Sequence, residues 1–356
     1  MKKKSKIRML VVAGGSGGHI FPALGLCQEL DYLCSKGHFE IYFVSSSRQK
    51  AARSIPANYH PVYLSEGRSL FCVLKLLVKC VFLMIKISPD IVFGFGGFLS
   101  VPYVVAGRLL GAKIFIHEQN VVPGRANLFL AGFAHKIGIT FSQSKDYFLG
   151  HAKKVVLTKY PLRKSLCRLP KRDALDFFGF QEGFLTVLVM GGSQGAHRIN
   201  ELFLQALKEN GHLEQYQILH LCGESDFAHI KREYAQLPVR SKIFAFLAEM
   251  NYAYSAADIV FSRAGASSIV EMAYFGLPSV LIPYPYAGAH QLENARILSR
   301  KGASLFLEED KVTPALISGL LDIFSNDQMR KKTMSFHAAS FFDAQESVDL
   351  SQIIFL

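Results

Sequence analysis

Short runs of β-branched and aliphatic residues alternate with stretches of helical period along the whole chain, which predicts an α/β protein with parallel strands. Met9–Ala13 has the pattern of a buried strand, followed by a glycine-rich turn and a helix from about Pro22. Further strands are expected at Ile41–Val44, Ile91–Phe93, Lys113–His117 and Lys136–Ile139. A second series opens after Tyr160-Pro161. Its first strand is expected at Leu185–Met190, with a glycine turn and a helix from about Arg198. Strands at Gln217–Leu221, Lys242–Ala245, Asp258–Phe261, Ser279–Ile282 and Ala303–Phe306 follow. Strand, glycine turn and helix therefore open each half. The expected fold is two Rossmann-like domains with parallel sheets facing across a cleft, divided near residues 158–165 into residues 1–160 and 161–340. Residues 341–356 have the pattern of one more helix. It can pack anywhere, back on the first domain included.

Leu70–Ile87 has a readable helical wheel. Val73, Leu77, Cys80, Met84 and Ile87 recur at i, i+4, i+7, i+11 and i+14, one core-facing stripe. Lys75, Lys79 and Lys86 cluster on the other side with Phe71, Val78 and Phe82 beside them. Those lysines argue against a spanning helix. Two readings stay open on the wheel alone: a crossover helix buried on both sides with snorkelling lysines, or a helix lying in a membrane interface.

Charge favours the second. Residues 1–160 hold 21 Lys+Arg and 7 Asp+Glu, a net of +14, whereas the remainder holds 19 and 21, a net of −2. A basic half beside a near-neutral half suits an anionic membrane surface. No nucleic-acid-binding motif accompanies the charge, so nucleic acid is not an expected partner. At 356 residues, 50% hydrophobic and 19% charged, the chain has material for two packed cores. Its six cysteines form no CxxC pair and lack zinc spacing, which predicts buried free thiols. The apolar run after the basic N-terminus stops at Gly14, too short for an export signal.

Candidate chemistry sits in the loops. Gly14-Gly15-Ser16-Gly17-Gly18-His19 follows the first strand. Such a turn serves either strand–helix packing or the close approach of an anion to a helix N-terminus. A dinucleotide fold needs an acid at the end of the second strand, and here that strand ends Val44-Ser45-Ser46-Ser47. A dehydrogenase is therefore disfavoured. Gly191-Gly192-Ser193-Gln194-Gly195-Ala196 repeats the device in the second half, and a pair of such turns suits a diphosphate on one and an acceptor on the other. Arg263-Ala264-Gly265-Ala266-Ser267-Ser268-Ile269-Val270-Glu271 leads from a strand into a helix, where Glu271 either accepts ribose hydroxyls or complements the helix dipole. His117-Glu118-Gln119-Asn120 and the loop Gly94–Ser100 add polar and glycine-rich loops to the ligand-binding edge of the first sheet.

GGSGGHIFPAL at 14–24, FGGFLSVP at 95–102, HEQNVVPGRAN at 117–127, GGSQGA at 191–196, RAGASSIVE at 263–271 and HQLENA at 290–295 together resemble the MurG family of peptidoglycan N-acetylglucosaminyltransferases. The resemblance covers nearly the whole chain. It implies a GT-B fold and transfer of N-acetylglucosamine, with inversion, from UDP-GlcNAc to the C4 hydroxyl of lipid I, giving lipid II. It also implies peripheral attachment to the cytoplasmic face of the cell membrane and no cofactor; no D-x-D metal site is present. On the donor side it implies Ser16 (which faces the acceptor too), Gly17, Gly18, Asn127, Arg163, Ser193, Gln194, Gly195, Leu247, Glu271, His290 and Gln291. Among these Glu271 would hold the ribose, the backbone at Leu247 the uracil, and His290 and Gln291 the sugar hydroxyls. On the acceptor side it implies Gly15, Gly96, Gly97, Ser100, His117 and Asn120. His19 is the first candidate for the general base and Glu118 the second. The lysine-aromatic helix matches the family's membrane patch. The chain departs from the family at Ser16, Phe98 and Ala289, and in the segment Lys159-Tyr160-Pro161-Leu162-Arg163, which puts the geometry there in doubt. A UDP-GlcNAc 2-epimerase, a diacylglycerol glycosyltransferase and a non-catalytic UDP-sugar-binding subunit are the alternatives.

Overall fold

A computed structural model describes the chain except residues 1–5, 15–16, 48–49, 65–69, 193–194, 287–289 and 344–346, and the side chains of residues 50, 70, 71, 73 and 74. The chain forms two compact units, residues 1–164 with 346–356 and residues 165–345. The first unit contains seven parallel strands: β1 Ile7–Ala13, β2 Phe39–Ser46, β3 Pro61–Leu64, β4 Ile91–Gly94, β5 Lys113–Glu118, β6 Lys136–Ile139 and β7 Val155–Leu157. Their order is β3-β2-β1-β4-β5-β6-β7. The order reverses between β1 and β4, where Val12 stands opposite Gly94. In open α/β sheets that reversal marks where ligands bind, beyond the carboxyl ends of the strands.

Alternation along β1 shows why the sheet is covered on both faces. Met9, Val11 and Ala13 join one core with the helix Gly17–Glu29. Leu10 and Val12 join the other with the helices Leu70–Ile87 and Ser100–Leu109. The outer strands β3 and β7 escape the sequence pattern. They are short, and β7 is only half-buried, so no clean period forms. The first helix begins at Gly17, not near Pro22 as expected. Proline favours a helix start, but here Pro22 falls in the second turn. There it lacks the N–H that would bond the Gly18 carbonyl.

The helix Leu70–Ile87 has the expected bounds but a different inner stripe. Leu76, Cys80, Met84 and Ile87 are buried, whereas Leu77 is 44% exposed. The side chains of Phe71 and Val73 lie outside the described residues. Val78, Val81, Phe82 and Ile85 are also exposed, beside exposed Lys75, Lys79 and Lys86. A crossover helix buried on both sides does not fit this. Among the described residues no helix is long and apolar enough to cross a membrane.

The expected terminal helix over 341–356 is not a single element. Its first residues complete the helix Gln328–Asp343 in the second unit. Val348 then pairs with Thr158 in the first, and the Lys159 N–H donates to the Val348 carbonyl at 2.8 Å. A 3-10 turn, Leu350–Ile354, buries Leu350, Ile353 and Ile354 against β1 and its helix. Those apolar residues bury on the first unit because its sheet face there is otherwise open to water. The segment leading out of the first unit lies on the same helix. A Cβ at residue 25 would stand 2.1 Å from the Pro161 carbonyl oxygen, so only glycine admits that crossing. The Arg163 guanidinium stacks over the Phe21 ring at 3.8 Å, and the Lys164 N–H donates to Gln28 at 2.8 Å.

The second unit contains β8 Leu185–Met190, β9 Tyr216–Leu221, β10 Arg240–Phe244, β11 Ile259–Ser262, β12 Ser279–Leu281 and β13 Ser304–Phe306, all parallel. The order β10-β9-β8-β11-β12-β13 again reverses beside its first strand. Val187 and Val189 pack on the helices His197–Glu209 and Pro314–Asn326.

Candidate active site

In the first unit three loops converge beyond β1, β4 and β5. His19 lies in the first turn of the helix Gly17–Glu29, half-buried. A Cβ on Gly96 would stand 3.4 Å from His19 Nε2 and 3.2 Å from Asn127 Nδ2, and one on Gly97 would stand 3.2 Å from the Gly14 carbonyl oxygen. Gly96 and Gly97 have φ of +87° and +75°, which side chains rarely adopt. The positive φ values therefore reserve both positions for glycine where the loop meets Asn127, the Gly14 carbonyl and His19. Gly15 and Ser16 lie outside the described residues; Gly17 and Gly18 form the helix start beside them.

Glu118 and Asn127 close the third loop. Glu118 Oε1 accepts from the Asn120 backbone N–H at 2.9 Å and from Asn120 Nδ2 at 3.1 Å. Its Oε2 accepts from the Gly124 N–H at 3.0 Å and from Asn127 Nδ2 at 2.8 Å. With four donors on a carboxylate that is 1% exposed, Glu118 is a loop organiser and has no lone pair left for a substrate proton. This corrects its expected place as second candidate base. Asn127 Nδ2 also donates to the His117 carbonyl at 3.0 Å, while its buried Oδ1 takes no hydrogen bond from the described residues.

His117 and Ser100 need the same correction. His117 has no exposed surface; its Nδ1 faces the Gln119 amide and its Nε2 the Thr140 hydroxyl, each at 3.2 Å. Burial pushes its pKa down to about 3, so the ring is neutral near pH 7. The Ser100 hydroxyl lies 2.6 Å from the Gly96 carbonyl and 3.2 Å from that of Val12, also buried. Neither side chain can touch an acceptor. Both brace the loops at this sheet edge, a role that sequence position alone does not distinguish from ligand contact. Asn120 remains half-buried at the edge.

In the second unit the corresponding edge carries a different set. The turn from Gly191 to Ala196 joins β8 to the helix His197–Glu209, with Ser193 and Gln194 outside the described residues. Gly195 has φ +80°, and a Cβ there would stand 2.3 Å from the Cys222 carbonyl oxygen. Leu247, buried, lies between β10 and the helix Met250–Ala256. Glu271 lies in the second turn of the helix Ala266–Tyr274 after β11, and the Tyr254 hydroxyl donates to its Oε2 at 2.9 Å. Gln291 and half-buried His290 open the helix His290–Arg300, and Gln291 Oε1 accepts from the Tyr284 N–H at 3.0 Å. The loop before Glu271 is braced by Arg263, which pairs with Glu309 and donates to the Ile282 carbonyl at 3.0 Å, and by Asn294, which donates to the Ala264 carbonyl at 3.1 Å.

Tyr254 has no signal in the sequence, since it lies on a separate helix. A groove of about 840 Å³ at the opposite edge of the first sheet, lined by Ile7, Phe39, Ile85, Leu110 and Phe355, has none of these polar groups.

Two open parallel sheets, each with a glycine turn after its first strand and polar loops at one edge, are the GT-B architecture of nucleotide-sugar enzymes. The chain belongs to glycosyltransferase family 28, and within it to the MurG N-acetylglucosaminyltransferases. It matches the family 28 N-terminal domain over residues 9–139 and the C-terminal domain over residues 186–348. It is 35% identical over 341 residues to the UDP-N-acetylglucosamine--N-acetylmuramyl-(pentapeptide) pyrophosphoryl-undecaprenol N-acetylglucosamine transferase of Thermodesulfovibrio yellowstonii, covering 92% of each chain. The crystal structure of Acinetobacter baumannii MurG matches at 26% identity and TM-score 0.70 over 98% of each chain. A UDP-N-acetylglucosamine 2-epimerase structure from Listeria monocytogenes matches as well in shape, with TM-score 0.71 over 97% of this chain and 99% of that one, but at 12% identity. That likeness is one of fold alone. The enzyme is accordingly a hexosyltransferase, an N-acetylglucosaminyltransferase.

Proposed function

We propose that this enzyme moves N-acetylglucosamine from UDP-GlcNAc to the C4 hydroxyl of the muramyl sugar of lipid I, giving lipid II for peptidoglycan synthesis. The observation that carries the reading is the convergence of His19, Gly96, Gly97 and Asn127 on one sheet edge. An epimerase has no second sugar to accommodate there, whereas a transferase needs a basic group beside its acceptor sugar.

The acceptor hydroxyl attacks the anomeric carbon of the donor as the bond from that carbon to the diphosphate breaks. His19 takes the proton, and UDP leaves with inversion at the sugar. Glu271 holds the ribose hydroxyls, its carboxylate oriented by Tyr254. The turn ending at Gly195 and the helix N-terminus behind it meet the leaving diphosphate. Arg163, His290, Gln291 and the backbone at Leu247 complete the donor contacts, and Asn120 belongs to the acceptor side. The exposed apolar face of the helix Leu70–Ile87, flanked by lysines, lies on the cytoplasmic face of the membrane and brings the enzyme to its lipid-borne acceptor.

Incubation with radiolabelled UDP-GlcNAc and a lipid I analogue, with analysis of the lipid product, tests this. Transfer to the muramyl sugar, lost in Glu271→Ala, is expected. Intact UDP binding without transfer to that lipid would sink the acceptor assignment in favour of diacylglycerol or epimerisation.

A further inference from the structure

We propose that Asn200, backed by His220, is a positioning residue that sets the seat of the second glycine turn and so the affinity for the donor's diphosphate. The inference rests on the reading of that turn as the nucleotide site. Gly195 sits directly on the backbone of Cys222 and Gly223: a Cβ there would meet the Cys222 oxygen at 2.3 Å and the Gly223 Cα at 2.9 Å. Any shift of that floor therefore moves the turn. Asn200 fixes the floor. Its Nδ2 donates to the Cys222 carbonyl at 2.8 Å and to Asp226 Oδ2 at 2.7 Å, spending both hydrogens. Asp226 Oδ2 also lies 3.1 Å from Nδ1 of the exposed His197, at the N-terminus of the same helix.

Behind Asn200 the protons are determined by elimination. Asn200 Oδ1, which can only accept, lies 3.0 Å from His220 Nε2, so Nε2 carries the hydrogen. Burial drives the His220 pKa down to about 3 and keeps the ring neutral, so Nδ1 is an acceptor. It faces the Tyr234 hydroxyl at 3.0 Å. The result is one directed chain: Tyr234 donates to His220, His220 to Asn200, and Asn200 to the floor of the turn. Asn200, His220 and Tyr234 are all buried.

Packing alone does not account for Asn200. It shares the buried stripe of its helix with Phe203, Leu204 and Leu207, where a leucine would fill the same space without polar partners. What a leucine cannot do is orient a carbonyl and a carboxylate at once. Polar networks of this kind specify one geometry rather than add bulk stability.

The test is UDP titration by calorimetry and steady-state kinetics on the wild type, Asn200→Asp, His220→Gln and His220→Leu, with melting temperatures measured alongside. Asn200→Asp keeps the shape and the acceptor for His220 but loses both N–H donors. Its UDP Kd and its KM for UDP-GlcNAc are expected to rise about tenfold, with kcat within about twofold. His220→Gln, whose amide can both donate and accept, should stay within about threefold of wild type, whereas His220→Leu should match Asn200→Asp. A lowered melting temperature with unchanged Kd and KM would overturn the proposal and leave Asn200 as packing. If Asn200→Asp does not fold, His220→Leu against His220→Gln decides alone. Failure of the wild type to bind UDP would instead sink the donor-site reading.

Discussion

The two units use one device for two ends. Each places a glycine turn after its first strand and a carboxylate on a neighbouring loop or helix of the same sheet edge, but the carboxylates are held differently. Glu118, the last residue of β5, takes four hydrogen bonds from residues 120, 124 and 127, all in the segment that directly follows it. Glu271 is oriented by Tyr254, which comes from a separate helix. A carboxylate closed on its own loop sets the shape of that loop. One held from another element has its direction set by the packing of two helices, which suits the ribose-binding role proposed for Glu271. Position at the end of a strand does not separate these roles; the origin of the donors does.

The comparison breaks most sharply at the histidine of the first unit. His19→Ala should lower turnover about 10²- to 10⁴-fold, the range for loss of a positioned base. UDP affinity, read by calorimetry, should stay unchanged because the nucleotide is assigned to Glu271, Leu247 and the second glycine turn and not to His19. Near-normal turnover would remove His19 as the base. Glu118→Gln should show a different signature. The amide replaces an oxygen that accepts two hydrogen bonds with an NH₂ group facing those same donors, at a cost of about 2–3 kcal/mol in stability. Its activity loss should follow the unfolding of the first unit, whereas Glu271→Gln should weaken UDP binding in a folded protein.

Acid sensitivity sharpens the comparison by asking where the units are alike. Each buries a neutral histidine, His117 in the first and His220 in the second, with the pKa lowered from 6.5 to about 3. The unfolded chain binds those protons below pH 6.5 and the folded chain does not. The stability each contributes is therefore complete above about pH 6.5 and falls as pH drops towards 3, by roughly 1.4 kcal/mol per pH unit per histidine. Denaturant melts between pH 7 and 5 should lose less stability in His220→Gln than in the wild type. An equal loss would show that carboxylates govern the acid transition.

What could be read from sequence follows from how local each signal is. The central strands and the glycine turns are contiguous in the chain, and β6 and β8 occupy the expected residues. The return of Leu350–Ile354 to the first unit was not legible, because it depends on a bare sheet face more than three hundred residues earlier. Leu76 displaced Leu77 from the inner stripe because two adjacent leucines give the helical wheel no way to choose. At the site, the residue types were legible and their duties were not. His117, Ser100 and Glu118 stand in the motif where contact residues would, yet each is buried with its polar atoms turned to partners within the fold: Gln119 and Thr140 for His117, the Gly96 and Val12 carbonyls for Ser100, and residues 120, 124 and 127 for Glu118. Asn200 carried a usable sign, a polar residue on an otherwise apolar stripe.

The smallest expected effect concerns which glycines the first unit needs. Gly124→Ala should change stability by about 1 kcal/mol or less, because the loss of glycine at the N-cap of the helix Arg125–Leu130 is offset by the reduced freedom of the unfolded chain. Residue 124 has φ −66°, nothing lies within 4 Å of a Cβ there, and an alanine keeps the N–H that Glu118 accepts. Gly96→Ala is the paired control. Its φ of +87° and its contacts with Asn127 and His19 predict strain of about 1–3 kcal/mol together with lost turnover. Thermal melts and initial rates on both variants separate the cases. If Gly124→Ala lost activity as Gly96→Ala does, the backbone at residue 124 would itself contact the acceptor, and Glu118, which accepts from that N–H, would regain a place beside the reacting atoms.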